Sequence, residues 1–461
     1  MKTTEARAGV REWVGLAVLA LPTLLLAMDA TVVYLAVPHL GADLRPTDTE
    51  LLWIVDSYGF MVAGFLVTMG TLGDRIGRRR LLMIGAMAFA AASVLAAFAP
   101  DPLLLILARG LLGVAGATLG PSTLSLISTM FPPGQRGIAI GLWATCFSAG
   151  IALGPIVGGL LLEWFWWGSV FLLAVPFMAV LLVAGPFLLP EYRDTEAGRL
   201  DLTSVFLSLA AVLPVIYGIK QHGGLAGGIA IVVGLVFGAV FVSRQRKLAD
   251  PLLDLRMFGH RSFSVALMAQ LFTMTAIGGI YLFVTQYLQL VQDFTPLTAG
   301  LWLVPSAVVL VLSSLVTPKL AGRFAPAHIV GVALAMAALG FAVLAAADGL
   351  GLVMAGFSLV YLGIGPIMAL GTELVIGTAP PEKAGSAAAM SETAMEFGIA
   401  LGVGVLGVIG TAVATNGQSL LETTSTQFTA GLNVVALLCA AITGVLAVLV
   451  LRLLRPAHPG R

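Results

Sequence analysis

Four acidic side chains, Asp29, Asp56, Glu392 and Glu396, each interrupt a long apolar run, and a fifth, Glu373, lies at the end of another. A carboxylate in hydrocarbon costs about 3 kcal/mol even on mild insertion scales, so each needs a partner or a task. Burial penalises the charged form, which suits such a group to taking up and releasing protons. It also suits it to holding an organic cation beside an aromatic ring, and Trp53 stands one turn from Asp56. Glu392 and Glu396 are spaced i, i+4, so they share a helix face and titrate as a coupled pair. One basic residue, Arg109, lies at comparable depth and can hold one or two of these acids as static partners. Glu373, at its helix end, reads as solvated.

The elements that must carry these acids follow from composition. Of the 461 residues, 59% are hydrophobic and 10% charged, with a mean hydropathy of +1.02. A soluble core cannot hide that much apolar surface, so the chain is an all-α polytopic membrane protein. A helix needs about 20 apolar residues to cross the hydrocarbon. Fourteen such runs are present, from Val14–Pro38 to Thr429–Leu453. The first holds Asp29 and no cleavage site follows it, so it reads as a retained span. Positive residues collect in cytoplasmic loops. Of the 24 basic residues, all but Arg45, Arg109 and Lys220 fall at the termini or in even-numbered loops. That alternation predicts an even number of spans with both termini cytoplasmic.

The longest polar interruptions, Pro190–Asp201 and Ser243–Ser262, divide the spans into six, two and six. The expected units are an N-terminal bundle over residues 1–190, a two-helix linker over 191–247 and a C-terminal bundle over 248–461. A faint repeat, Leu72-Gly-Asp-Arg75 against Leu320-Ala-Gly-Arg323, falls at corresponding places in the outer units. Repeated halves are the raw material of alternating-access transporters. The net charge of +1 gives no field for binding nucleic acid. The five histidines and two cysteines show no metal-ligand spacing, and no nucleophile has a base near it in sequence. The sequence therefore predicts no catalytic residues, no metal and no cofactor. A membrane-embedded enzyme is a remote alternative, and no segment resembles a channel filter.

The most specific run is Gly70-Thr-Leu-Gly-Asp-Arg-Ile-Gly-Arg-Arg-Arg80, which sets Asp74 among arginines at the mouth of the second and third spans. A mere positive anchor would need neither the aspartate nor the spaced glycines. Leu105-Ile-Leu-Ala-Arg109-Gly-Leu-Leu-Gly113 and Gly150-Ile-Ala-Leu-Gly154-Pro155-Ile-Val-Gly158-Gly159 form two further patterns, and Met28-Asp29 through Pro38 a fourth. Glycines at i, i+4 and i+8 make a smooth strip on one helix face. The tryptophans of Trp164–Trp167 read as an interfacial belt.

Together these runs resemble the loop, fourth-helix, fifth-helix and first-helix motifs of the major facilitator superfamily, in its fourteen-helix drug/proton antiporter branch. The likeness is to multidrug exporters of quaternary ammonium compounds. It implies the major facilitator fold, two bundles rocking about a central cavity, and proton influx driving export of lipophilic, mainly cationic compounds. It implies that Asp74, Arg75 and Arg78 latch the cytoplasmic side. It implies further that Gly150, Gly154, Pro155 and Gly158 shape the interface between bundles. The charges at depth, Asp29, Asp56, Glu392, Glu396 and Arg109, with the neighbouring Trp53, are read from their burial and spacing as the residues of proton coupling and substrate binding. Two positions depart from the family: Leu112 replaces its usual Gln, and Ala174 the Asn ahead of the sixth-helix proline. The expected partners are small lipophilic cations, protons and membrane lipid, with the chain working as a monomer in a bacterial cytoplasmic membrane. Export of an endogenous metabolite, lipid or siderophore is the alternative cargo.

Overall fold

The computed structural model describes residues 8–193, 201–220, 224–248, 255–377, 384–415 and 424–453. Among these residues every regular element is helical, as the bilayer demands of a chain whose backbone must satisfy itself. In order they are α1 (Val10–Leu44), α2 (Asp48–Ile76), α3 (Arg78–Ala97), α4 (Pro102–Met130), α5 (Pro133–Trp164), α6 (Ser169–Leu172) and α7 (Ala174–Leu188). Then come α8 (Leu202–Lys220), α9 (Leu225–Gln245), α10 (Arg261–Gln286), α11 (Pro296–Ala321), α12 (Pro326–Ala345) and α13 (Leu350–Gly377). The chain ends with α14 (Ala384–Leu401), α15 (Gly407–Thr415) and α16 (Ser425–Leu453). The segments α6 and α7 run on as one span, and α14 joins α15 through a π turn over Gly402–Leu406. Among the described residues thirteen helices are long and apolar enough to cross a membrane; in α8 the apolar stretch is the shorter Leu202–Val215.

Turn chemistry starts the helices where the hydrophobic runs begin. Thr47 and Glu50 close a capping box at the head of α2, and the Asp101 carboxylate accepts from Leu104 N–H at the head of α4. The faces of the molecule are then set by alternation. One face carries the start of α1 and the arginine run Arg78–Arg80; the opposite face carries the α1–α2, α3–α4 and α10–α11 turns. They are called here the arginine face and the far face. On the arginine face, the Gln135 side chain accepts from Ala8 N–H and Arg11 donates to Phe187 O. On the far face the tryptophan run divides: Trp164 and Trp166 point outward, whereas Trp167 is buried and donates to the Asp43 carboxylate at 2.6 Å.

Packing sorts the long helices into two groups. Helices α1 to α5 and α7 contact one another, as do α10 to α16. The principal seams between the groups are α5 to α11, α2 to α14 and α1 to α10. Their close approaches lie toward the far face. A Cβ on Gly159 would fall 2.6 Å from Leu297 Cα, and one on Gly407 would fall 3.0 Å from Leu52. Gln286 on α10 donates to Tyr34 O on α1 at 3.1 Å, and the Tyr34 and Tyr281 rings meet edge to face at 5.0 Å.

The pair α8 and α9 packs as a hairpin, and α8 leans on α2 where Gly64 leaves room for Leu209. Val212 and Leu213 close over Phe60, Ala400 and Trp53 at the α2–α14 seam. The outer side of α9, with Val232, Leu235 and Val236, is exposed and apolar, as suits a lipid-facing helix. At the arginine face Arg244 holds the Asp201 carboxylate through two hydrogen bonds of 2.9 and 3.1 Å, and Ser204 bridges Asp201 to Gln245. The Arg244 hydrogen bonds pull the Asp201 carboxyl down to about 2. The contribution of the pair is therefore complete above the usual aspartate range near ~4 and is lost as pH falls toward 2. Because the pair is partly solvated the effect is modest, about 1 kcal/mol or less. Hydrogen exchange at the first turn of α8 should accelerate between about pH 4 and pH 2, and Asp201→Asn should remove that acid-dependent step.

Candidate functional site

Arg109 enters the core from the first third of α4 and is 1% exposed. Gly113 and Gly116 lie on the same face of α4 and let α2 come close: a Cβ on Gly113 would collide with the Tyr58 backbone, and one on Gly116 would crowd the Tyr58 hydroxyl at 3.2 Å. The long guanidinium therefore reaches across α2 to α1. Its Nη1 donates to Asp29 Oδ2 at 3.0 Å, its Nε to Ile54 O at 3.1 Å and its Nη2 to Val55 O at 3.2 Å. A helical carbonyl has a second lone pair, so Ile54 and Val55 can accept without leaving their own helix. The charge also stands over the Tyr58 ring at 4.8 Å and the Phe171 ring at 5.8 Å. One side chain thus ties α1, α2, α4 and α6 together. Leu112, at the place of the family's Gln, is fully buried in the apolar core. Asp29 and backbone oxygens supply the polar contacts to Arg109.

Asp56 follows directly on the two carbonyls that Arg109 grips and is 2% exposed. Its charge and that of Glu396 both act on the buried hydroxyl of Tyr34, and the charges of Asp29, Arg109 and Glu396 act on that of Tyr58. Glu396 sits on α14 beside Phe397, whose ring meets Phe60 of α2 at 6.3 Å. Acids from both helix groups therefore converge on one polar centre, walled by Tyr34 and Tyr58. Glu392 lies one turn from Glu396, within its electrostatic reach. Both glutamates are half-buried, and among the described residues neither forms an ion pair with a basic side chain. Trp53 lies off this centre: it packs with Phe60 at 6.4 Å against α8. The side chains of Asp74 and Glu373 lie outside the described residues.

The glycine strip of α5 is divided between two tasks. Gly150, Gly154 and Gly158 face α1, where a Cβ would run into Leu24 O, Thr31 Oγ1 and Val32 respectively. The expectation that all three shape the interface between the bundles is corrected: they close the packing inside one helix group. The reason is the helical period, because residues at i, i+4 and i+8 look in one direction. The seam to α11 is made on another face, by Pro155 against Gly300 and Gly159 against Leu297.

At the arginine face Gly77 turns the chain at φ 108°, between α2 and α3. Arg78 is buried and folds over Gly73, and its N–H donates to Tyr192 O at 2.9 Å. Arg75 is half-buried beside it. The sequence pattern missed Arg79 and Glu191. The Glu191 carboxylate accepts from Arg79 N–H at 3.1 Å and pairs with its guanidinium at 3.5 Å, while Arg79 Nη1 donates to Leu189 O at 3.0 Å. Tyr34, Tyr58 and Phe171 were missed too, because an aromatic in an apolar run carries no periodic signal of its own. Only the nearness of Tyr58 to Asp56 hinted at it.

The comparisons agree with this geometry. The model of the Major Facilitator Superfamily matches residues 19–403. The chain belongs to the major facilitator superfamily. This superfamily member is 46% identical over 414 residues to the multidrug efflux pump LfrA of Mycolicibacterium smegmatis, covering 88% of this chain and 82% of that one. It is 35% identical over 420 residues to the methyl viologen resistance protein SmvA of Salmonella typhimurium, covering 87% and 82%. Its fold matches the crystal structure of the nucleoside transporter NupG with a TM-score of 0.66 at 15% identity, over 96% of this chain and 100% of that one. The protein is thus a multi-pass membrane transporter and not an enzyme, and its bacterial relatives point to the cytoplasmic membrane.

Two outcomes follow. Arg109→Gln should destabilise the purified protein by about 3–5 kcal/mol, because it strands a buried carboxylate. Adding Asp29→Asn should recover part of that loss in thermal unfolding. Gly77→Ala should cost about 1–3 kcal/mol through its left-handed backbone, lowering the unfolding midpoint with the acid centre intact.

Proposed function

We propose that this major facilitator protein is a proton-coupled antiporter that exports lipophilic, mainly cationic compounds by alternating access. It works as a monomer, spans the membrane fourteen times with both termini cytoplasmic, and needs no cofactor beyond the proton gradient. The observation that carries the reading is the convergence of Asp56 and the Asp29–Arg109 pair with Glu396 from the opposite helix group. A proton or a cation taken up there is felt by both groups at once, which is what coupling requires.

The division of labour follows from the partners. Asp29 is neutralised by Arg109 and acts through the position of that guanidinium. Glu392 and Glu396 lack such a clamp and exchange protons with the solvent and charge with the substrate. The Asp74, Arg75 and Arg78 group, with Arg79 and Glu191, latches the arginine face when it closes.

Energetics favour several acids. Exchanging one proton for one monovalent cation moves no net charge, so the membrane potential, about 2.3 kcal/mol per charge at 100 mV, adds nothing. Each tenfold gradient requires about 1.4 kcal/mol, so strong export of a cation needs more than one proton. The relative SmvA is named for methyl viologen resistance, and methyl viologen is a bipyridinium dication. A dication raises the need for protons further.

In inside-out vesicles an acidic lumen should drive ethidium into the lumen, and collapsing the gradient should stop it. Glu396→Gln and Glu392→Gln should each cut proton-driven uptake at least about tenfold with expression unchanged. Ethidium uptake that ignores the gradient, or wild-type transport by both variants, overturns the reading.

A further inference from the structure

Above the acid centre, at the far face, the two helix groups enclose a cavity of about 90 Å³. Its lining comes from both groups. Asp48, Leu52 and Val55 belong to α2, Phe283 and Gln286 to α10, and Phe428 to α16. Gln286 and Val55 also form the partition below it: Gln286 donates to Tyr34 O, and the Val55 carbonyl accepts from Arg109. Among the described residues, none of Asp29, Asp56, Arg109 and Glu396 lines the cavity. The space suits about six to nine waters, or an organic molecule on the order of ten non-hydrogen atoms. That is too small for a multi-ring drug, whose pockets run to roughly 300 Å³ and more.

The chemistry of the wall selects the occupant. Most of the lining is apolar, and the Phe283 and Phe428 rings face the space as a tilted pair 5.6 Å apart. Asp48, half-buried at the first position of α2, is its one charged group among the described residues. An aromatic pair with one carboxylate at the rim fits a single-ring ammonium compound, whose cation is attracted by ring faces and whose body displaces water from apolar walls.

We propose that this far-face cavity is a second ligand site, for a small aromatic ammonium ion, and that its occupant inhibits transport. The inhibition follows from the lining. A ligand shifts a conformational equilibrium only by its differential affinity for the two states. Contacts to α2 on one side and to α10 and α16 on the other exist together only while the far face is closed. An occupant therefore holds α2 against α10 and opposes the opening that export requires. Its effect does not depend on the acid centre below, so substrate cannot overcome it by competition.

The test uses benzyltrimethylammonium and the full-length protein in lipid nanodiscs, with empty nanodiscs as the blank. In a Glu396→Gln background, where the central site is disabled, one saturable site should remain, and Asp48→Asn should weaken it about tenfold. Leu52→Trp, which fills the space, should abolish it. In vesicles of otherwise wild-type protein, benzyltrimethylammonium should lower the maximal rate of ethidium transport at saturating ethidium, and Asp48→Asn should relieve this while transporting normally without the inhibitor. Binding unaffected by both Asp48→Asn and Leu52→Trp, or inhibition erased by excess ethidium, overturns the proposal. Should the central reading alone fail, the Glu396-dependent component of binding is absent and the Asp48-dependent one persists.

Discussion

A guanidinium that is 1% exposed in the middle of a membrane protein has to be neutralised and hydrogen-bonded, and much of this molecule is arranged around doing so. Arg109 cannot shed its charge, so the surroundings must supply acceptors. They come from two helices: a carboxylate on α1 and two main-chain oxygens on α2. Those oxygens are reachable because α4 presents glycines where it crosses α2. The requirement of one side chain thus fixes the spacing of three helices, and Asp56, next along α2 from the gripped carbonyls, takes its depth and orientation from the same clamp.

The opposing helix group meets this centre with a different economy of charge. Glu392 and Glu396 sit on α14, whose continuation loosens into a π turn at Gly402–Leu406. Such turns interrupt the regular hydrogen-bond ladder and often occur at functional places in helices. A carboxylate clamped by a guanidinium on one side, and carboxylates without an ion pair to a basic side chain among the described residues on the other, form a physically asymmetric pairing. In the antiport proposed above, a proton gained by Glu396 would change the field at Tyr34 and Tyr58, while the Asp29–Arg109 pair would keep its own hydrogen bonds.

How much of this was legible in the chain depends on the kind of signal. The membrane class, the acids at depth and Arg109 could all be read, because a charge inside an apolar run is conspicuous. The α5 strip could be recognised as a packing surface but not assigned to a neighbour: spacing gives a face and not what it faces. The direction of Trp53 was hidden for the same reason, since the hairpin α8–α9 that draws it outward lies about 150 residues away in the chain. Glu191 was unreadable as a partner of Arg79 because it looks like any acid in a polar linker. Contacts between distant segments leave no periodic trace.

The seams explain how a tightly packed membrane protein can still separate into two parts. Where α5 meets α11, main chain lies on main chain: Gly159 faces Leu297, and Gly300 faces Pro155. Large side chains do not interlock there, so parting the helices breaks dispersion contacts and leaves no hole that a side chain must fill. Inside the N-terminal group the opposite holds. Gly154 seats against Thr31 and Gly158 against Val32, so side chains of α1 fill notches in α5. A notch filled by a side chain resists sliding, whereas a smooth contact allows it. The same helix is therefore locked to α1 on one face and meets α11 smoothly on another, so the alternating access proposed above would part the protein along the seam where its sequence has removed the side chains.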